Sequence, residues 1–254
     1  MNTLEETARR AIALLDLTNL NDECSNEDIE SLWKTAQTAG GNVAAVCIWP
    51  QFVPLARKLL SGTGIKVATV ANFPHGNPDS DAAAQEVAEA IANGADEVDI
   101  VIPWKAIKDG DTETATAVVT ACRKEVPANR RLKVILETGE LADERLIRTA
   151  SGIALEAGAD FIKTSTGKVP INATPESAAI MLEEIAGSGK MAGFKAAGGI
   201  KTTEDAGAYL AIADKIMGPD WAGPTNFRFG ASGVLSDLLA SLGFAERKAP
   251  KDGY

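Results

Sequence analysis

Short apolar, β-branched stretches alternate with longer amphipathic ones along the whole chain. The short stretches predict strands at Leu15–Thr18, Val43–Ile48, Lys66–Val70, Glu97–Ile102, Leu132–Glu137, Phe161–Thr164, Gly193–Ala196 and Phe227–Gly230. Between them, helical periodicity covers Asn26–Ala39, Pro50–Leu60, Asp79–Asn93, Asp111–Val126, Asp143–Ala157, Thr174–Ala186 and Thr203–Met217. A further helix follows at Ser232–Leu242, and an extra one, Leu4–Leu14, precedes the first strand. Helix starts carry cap chemistry: Asp79, Asp111 and Asp143 lead theirs, and Thr174-Pro175 pairs a cap with proline at the first helical position.

Eight β-α units in a chain of 254 residues predict one closed (β/α)8 barrel spanning residues 1–254, with an extra N-terminal helix. Asn93-Gly94-Ala95-Asp96-Glu97 is echoed by Ala157-Gly158-Ala159-Asp160-Phe161, as repeated units require. No linker divides the chain, and the polar stretch 245–254 reads as a mobile C-terminal tail.

Strand side chains alternate between the barrel interior and the helix layer. With Val98, Ile100 and Ile102 facing the helices, Asp99 points inward. The same phase sends Phe161, Lys163 and Ser165 inward on the sixth strand and Lys195 inward on the seventh. It also sends Asp16 and Thr18 inward on the first strand, Cys47 on the second, and Lys133 and Glu137 on the fifth. Barrel interiors are normally filled by branched apolar residues, and active sites sit at the C-terminal ends of the strands. Asp16, Asp99, Lys163 and Lys195 therefore point to chemistry, the competing reading being a structural ion network. Lys133 is read as structural, pairing with Glu97 or Asp99, and Cys47 as a pocket wall.

Lysines on neighbouring strands lie about 4.8 Å apart at the backbone. Two ammonium groups at that range repel by roughly 3 kcal/mol, about two pKa units, enough to leave one amine largely neutral. A neutral buried amine is the nucleophile that attacks a carbonyl to form a Schiff base, with Asp99 relaying protons. Electrostatics alone does not choose between the two lysines. The open, hydroxyl-rich approach through Thr164, Ser165 and Thr166 favours Lys163.

Composition narrows the rest. A net charge of −10 argues against nucleic acid and anionic membranes as partners, and no apolar run is long enough to span a bilayer. Cys24, Cys47 and Cys122 form no CxxC pair, which with the absence of a leader pattern suggests a cytoplasmic address. The single histidine, His75, removes metal sites built on two or three histidines, so no metal or other cofactor is expected. A homodimer is compatible with the sequence, although nothing in it sets the oligomeric state. Three glycine-bearing loops follow strands six to eight, at Thr166-Gly167-Lys168, Gly198-Gly199-Ile200-Lys201 and Gly230-Ala231-Ser232-Gly233. Such loops let backbone N–H groups approach a phosphate.

These residues resemble a known family, the class I deoxyribose-phosphate aldolases. The resemblance runs in order through Leu15-Asp16-Leu17-Thr18, Ala45-Val46-Cys47-Ile48, Asn72-Phe73-Pro74-His75-Gly76, Gly94 to Asp99, Glu137-Thr138-Gly139-Glu140, Phe161 to Gly167, Gly193-Phe194-Lys195 and Phe229 to Ser232. It implies reversible cleavage of 2-deoxy-D-ribose 5-phosphate to D-glyceraldehyde 3-phosphate and acetaldehyde, in deoxyribose phosphate catabolism. By the same resemblance Lys163 forms the Schiff base, and Asp99 and Lys195 transfer protons. Asp16, Thr18 and Cys47 then line the sugar pocket, and Gly167, Lys168, Gly198, Gly199, Gly230 and Ser232 hold the phosphate beside Thr166. Tyr254 matches a C-terminal tyrosine expected to fold over the site. In cleavage the imine is expected to act as electron sink while the C3–C4 bond breaks and the C4 hydroxyl loses its proton. Two departures stand out: Gly233 where relatives carry a second serine, and Ala196 and Lys201 where they carry proline and arginine. The alternatives are a Schiff-base aldolase for another sugar phosphate and a noncatalytic sugar-phosphate sensor.

Overall fold

The computed structural model describes residues 3–246. Eight parallel strands close into a barrel: β1 Leu15–Asn19, β2 Ala45–Ile48, β3 Lys66–Ala71, β4 Glu97–Val101, β5 Arg131–Ile135, β6 Phe161–Lys163, β7 Gly193–Ala197 and β8 Phe227–Ala231. Each strand pairs with its chain neighbours, and β8 closes on β1 through Leu15↔Phe229. The predicted (β/α)8 fold is the one observed.

The helices are α1 Leu4–Ala13, α2 Asn26–Ala36, α3 Val53–Leu59, α4 Ser80–Ala92, α5 Trp104–Lys108, α6 Thr112–Lys124, α7 Thr138–Leu141, α8 Glu144–Glu156, α9 Pro175–Ser188, α10 Thr203–Met217 and α11 Val234–Ser241. The anticipated caps form: Asp79, Asp111, Asp143 and Thr174 each accept backbone N–H bonds at the start of their helices. Helix α1 sits against α10 and α11 and carries a capping box from Thr3 and Glu6. Among the described residues, no helix is long and apolar enough to cross a membrane.

Several boundaries differ from expectation, most by a residue or two. Helix α2 stops at Ala36 because Gln37–Thr38 pairs with Gly41–Asn42 in a small hairpin, where Gly41 takes φ +114°. The helix expected from Pro50 begins as a 3-10 turn, Pro50–Phe52, and becomes α-helical at Val53. The helix expected from Ser232 starts at Val234, leaving Ser232 ahead of it. Strand β5 ends at Ile135, and the short helices α5 and α7 fill loops that carry no clear periodicity.

Two apolar populations build the core. The larger lies between strands and helices and includes Val98, Ile100, Val134, Ile162 and Phe194, confirming the outward phase. The smaller lies inside the barrel: Leu20, Ala45, Cys47, Ala68 and Val70, with Trp49 and Phe73 against it. Alanine and cysteine at inward positions on β2 and β3 leave space that larger side chains would fill.

Candidate active site

Opposite that wall of small residues, the barrel interior is charged. Register aligns Lys163 of β6 with Lys195 of β7, and Lys195 with Arg228 of β8. Three cations thus occupy one row across three consecutive strands. Three carboxylates answer them: Glu97 and Asp99 on β4 and Asp16 on β1, while Lys133 of β5 adds a fourth cation. All seven are buried, which is costly unless each charge is compensated.

The compensation is specific. Lys195 Nζ donates to Asp16 Oδ2 at 2.6 Å and to Asp99 Oδ2 at 2.8 Å. Lys133 Nζ reaches Glu97 Oε2 at 2.6 Å and Asp99 Oδ1 at 2.8 Å. Arg228 bonds Asp16 Oδ1 at 2.5 Å and grips Glu97 through both terminal nitrogens, at 3.0 and 2.7 Å. Among the described residues, Lys163 Nζ has one carboxylate contact, to Asp99 Oδ2 at 3.0 Å, an oxygen it shares with Lys195. Asp16, Glu97 and Asp99 balance Lys133, Lys195 and Arg228, so a charge on Lys163 would be the uncompensated one.

Proton affinities follow that arrangement. Burial, then the neighbouring Lys195 ammonium, lowers Lys163 from the ordinary lysine value despite Asp99. Burial also acts against charge on Lys195, but Asp16 and Asp99 outweigh it and hold that amine well above the usual range. Burial would raise Asp99, yet Lys133, Lys195 and Lys163 hold it well below the ordinary carboxylate value. The two lysines thus differ in their shares of carboxylate: Lys195 meets Asp16 and Asp99, whereas Lys163 meets Asp99.

Thr18 and Cys47 face each other in register across β1 and β2. Thr18 Oγ1 donates to Asp16 O at 2.8 Å, and burial pushes the Cys47 thiol up, keeping it a neutral part of the apolar wall. Ser165 Oγ is buried without a hydrogen-bond partner among the described residues.

Glu137 departs from its expected strand position. It takes a left-handed conformation (φ +57°) at the start of α7, and its buried carboxylate accepts Thr166 N–H at 3.1 Å and Thr166 Oγ1 at 2.6 Å. Thr166 Oγ1 in turn accepts Lys168 N–H at 3.0 Å. Gly139 seats the same loop, since a Cβ there would stand 1.9 Å from Ile171 O.

Gly167, Gly198 and Gly199 all adopt positive φ, between 78° and 84°, in loops at the C-terminal mouth. Gly230 instead lies within β8, where a Cβ would meet Lys195 Cε at 2.9 Å, so the missing side chain makes room for the lysine stem. Lys168 reaches across the mouth to Leu20 O at 2.8 Å and Asp22 at 3.1 Å, its ammonium 5.9 Å from the Trp49 ring centre. Ser232 sits partly exposed just before α11. Tyr254, with the tail from residue 247, lies outside the described residues. Among the described residues, no cluster of three or more metal-ligating side chains occurs.

Sequence reasoning passed over Arg228, although alternation between Phe227 and Phe229 would have turned it inward. It also left Glu97 as a partner for Lys133 alone, whereas Glu97 also binds Arg228.

A closed parallel barrel with a buried amine held toward neutrality, beside a carboxylate and a charged lysine, belongs to the carbonyl-handling barrel enzymes. Residues 10–236 match the family described as DeoC/LacD family aldolase. The chain belongs to this family and is an aldolase, a carbon–carbon lyase. Similar solved structures include two provisionally named deoxyribose-phosphate aldolases. One, from Toxoplasma gondii, is 27% identical with TM-score 0.87, covering 96% of this chain and 99% of that one. The other, from Coccidioides immitis, is 28% identical with TM-score 0.80, covering 90% and 85%. The aldolase QR15 is 31% identical with TM-score 0.77, covering 93% and 96%.

Proposed function

We propose that this protein is a class I, Schiff-base aldolase that reversibly cleaves 2-deoxy-D-ribose 5-phosphate to D-glyceraldehyde 3-phosphate and acetaldehyde. The observation that carries the reading is the unequal pairing of the two facing lysines: Lys195 holds two carboxylates and Lys163 shares one. Lys163 is then the amine that attacks the C1 aldehyde of the open-chain sugar. Asp99, touching both amines through one oxygen, passes protons between the carbinolamine and Lys195 as water leaves and the imine forms.

The products correct the bond expected to break. Acetaldehyde carries C1 and C2, and the three-carbon fragment carries C3 to C5, so cleavage is at C2–C3 and the C3 hydroxyl loses its proton. The C2–C3 electron pair flows into the iminium to give an enamine, which takes a proton at C2, and water then releases acetaldehyde. The wall of Ala45, Cys47, Ala68 and Val70 suits the C2 methylene, which has no hydroxyl to satisfy. Ser165 and Thr18 are the hydroxyls available to the sugar. The phosphate is assigned to the mouth formed by Gly167, Gly198 and Gly199, where positive φ leaves backbone free of Cβ, with Ser232 beside it and Lys168 as the nearby cation.

The test is borohydride reduction in the presence of acetaldehyde or 2-deoxyribose 5-phosphate, followed by peptide mass mapping. The expected adduct is on Lys163 and is lost in Lys163→Ala. An adduct on Lys195, or none on any lysine, sinks the assignment. Parallel turnover of 2-deoxyribose 5-phosphate and other sugar phosphates tests the substrate.

A further inference from the structure

The four charges around Lys163 and Lys195 do not end at the catalytic centre. Asp16 is held from its other oxygen by Arg228, and Arg228 continues to Glu97, which binds Lys133, which returns to Asp99. The loop of ion pairs is closed. Its far side faces away from the catalytic mouth: Glu97 and Arg228 border a cavity of about 520 Å³ that also includes Phe161, Ala44, Lys66 and Pro224. Phe161 at the start of β6 packs under the network, its ring centre 5.7 Å from the Arg228 guanidinium and 6.0 Å from Lys133 Nζ. A substrate entering at the C-terminal ends of the strands does not need to touch Glu97 or Arg228.

We propose that Arg228 and Glu97 are positioning residues that set the protonation state of the nucleophile by charge balance, acting through Asp16, Lys195, Lys133 and Asp99. The proposal rests on Lys163 being that nucleophile. The groups that face Lys163 are Asp99 from β4, Lys195 from β7, the Cys47 thiol from β2 and Glu137 from the start of α7. Burial disfavours the charged thiol and the charged Glu137 carboxylate, so neither readily offers Lys163 a counter-ion. The remaining carboxylates are matched one to one by cations other than Lys163. Removing one charge from the far side breaks that match. Lys163 is the group that responds, because its proton is the least compensated in the network.

The two removals act in opposite directions. Arg228→Met leaves the carboxylates in excess by one, so Lys163 gains a proton more easily and its titration moves up. Glu97→Gln leaves the cations in excess by one, and its titration moves down. Arg228 and Lys163 stand two strand spacings apart, about 10 Å, and a unit charge at that range and an effective dielectric near 20 moves a titration by about one pH unit. Each single variant keeps partners for the remaining charges: Asp16 retains Lys195, and Lys133 retains Asp99.

The experiment is the pH dependence of imine formation with acetaldehyde, trapped by cyanoborohydride and mapped to Lys163, on proteins shown to be folded by circular dichroism. The acid limb should move up by about one unit in Arg228→Met, down by about one in Glu97→Gln, and back to the wild-type position in the double variant. If either single variant does not fold, the double variant and Lys133→Met carry the test. The first must then match wild type, and the second must shift upward. A purely structural role lowers trapping at every pH without moving the limb, and that result, or shifts of the same sign in both variants, overturns the proposal. Failure to trap wild-type Lys163 at all would instead overturn the nucleophile assignment.

Discussion

Replacing Lys195 with methionine tests the electrostatic core of the mechanism. Both lysine nitrogens sit on Asp99 Oδ2, at 3.0 and 2.8 Å, which places them within about 6 Å of each other. At about 5 Å and an effective dielectric near 20, the repulsion removed is about 3 kcal/mol, or roughly two pKa units. The sign is upward: without Lys195, Asp99 has only Lys133 and Lys163 to satisfy it, and a proton on Lys163 becomes favourable. At neutral pH, imine formation with acetaldehyde should fall about a hundredfold, and most of it should return as the pH is raised by about two units. The assay follows trapping at Lys163, rather than turnover, because in the proposed mechanism turnover also draws on Lys195 as a proton donor. Methionine keeps the apolar stem, and Asp16 keeps Arg228, so the fold should hold. A uniform loss across the pH range would refute the reasoning. Lys195 would then be needed for geometry or proton delivery and not for keeping Lys163 neutral.

Other consequences are testable in the same protein. Lys168→Gln should raise KM for 2-deoxyribose 5-phosphate about tenfold and leave that for unphosphorylated deoxyribose unchanged, if Lys168 meets phosphate; equal rises for both would identify it as only a tether to Leu20 and Asp22. Gly139→Ala should destabilise the fold by about 2–4 kcal/mol in urea titration, because its Cβ collides with backbone at Ile171 rather than with a yielding side chain. Unchanged stability would mean the loop shifts freely. Stability should also fall as the solution is acidified below about pH 4. Asp16 and Asp99 are held below their ordinary values in the folded state, so the unfolded chain takes up protons first, and their contribution, full above that range, is lost as pH drops. Asp99→Asn should flatten that acid slope, as read from urea midpoints between pH 3 and pH 6.

The barrel was legible because parallel strands buried on both faces still obey alternation. Once Val98, Ile100 and Ile102 were assigned outward, Asp99 had one place to go. The same rule applied to Phe227-Arg228-Phe229 turns Arg228 inward, although a lone cation between two aromatics carries no motif that marks it as part of a site. Glu137 was a different kind of miss. Its left-handed turn depends on Thr166, 29 residues away, and no local pattern announces a carboxylate that leaves its strand to hold a neighbouring loop. Gly230 illustrates the limit of motif reasoning. Read as a phosphate-loop glycine, it is also demanded by the stem of Lys195 on the next strand.

The electrostatic difference between the two lysines lay beyond sequence for a related reason. Two lysines on adjacent strands are equivalent as a repelling pair. What separates them is how many carboxylates each receives, and those arrive through contacts spanning 179 residues to Asp16 and 212 residues from Asp16 to Arg228. The closing pair of β1 and β8 brings Asp16 beside that row of cations and gives Lys195 its second carboxylate. Closure of the barrel therefore contributes more than stability. It brings together the chain's first and last strands, and the charge they complete is what leaves Lys163, on β6, as the amine able to lose its proton.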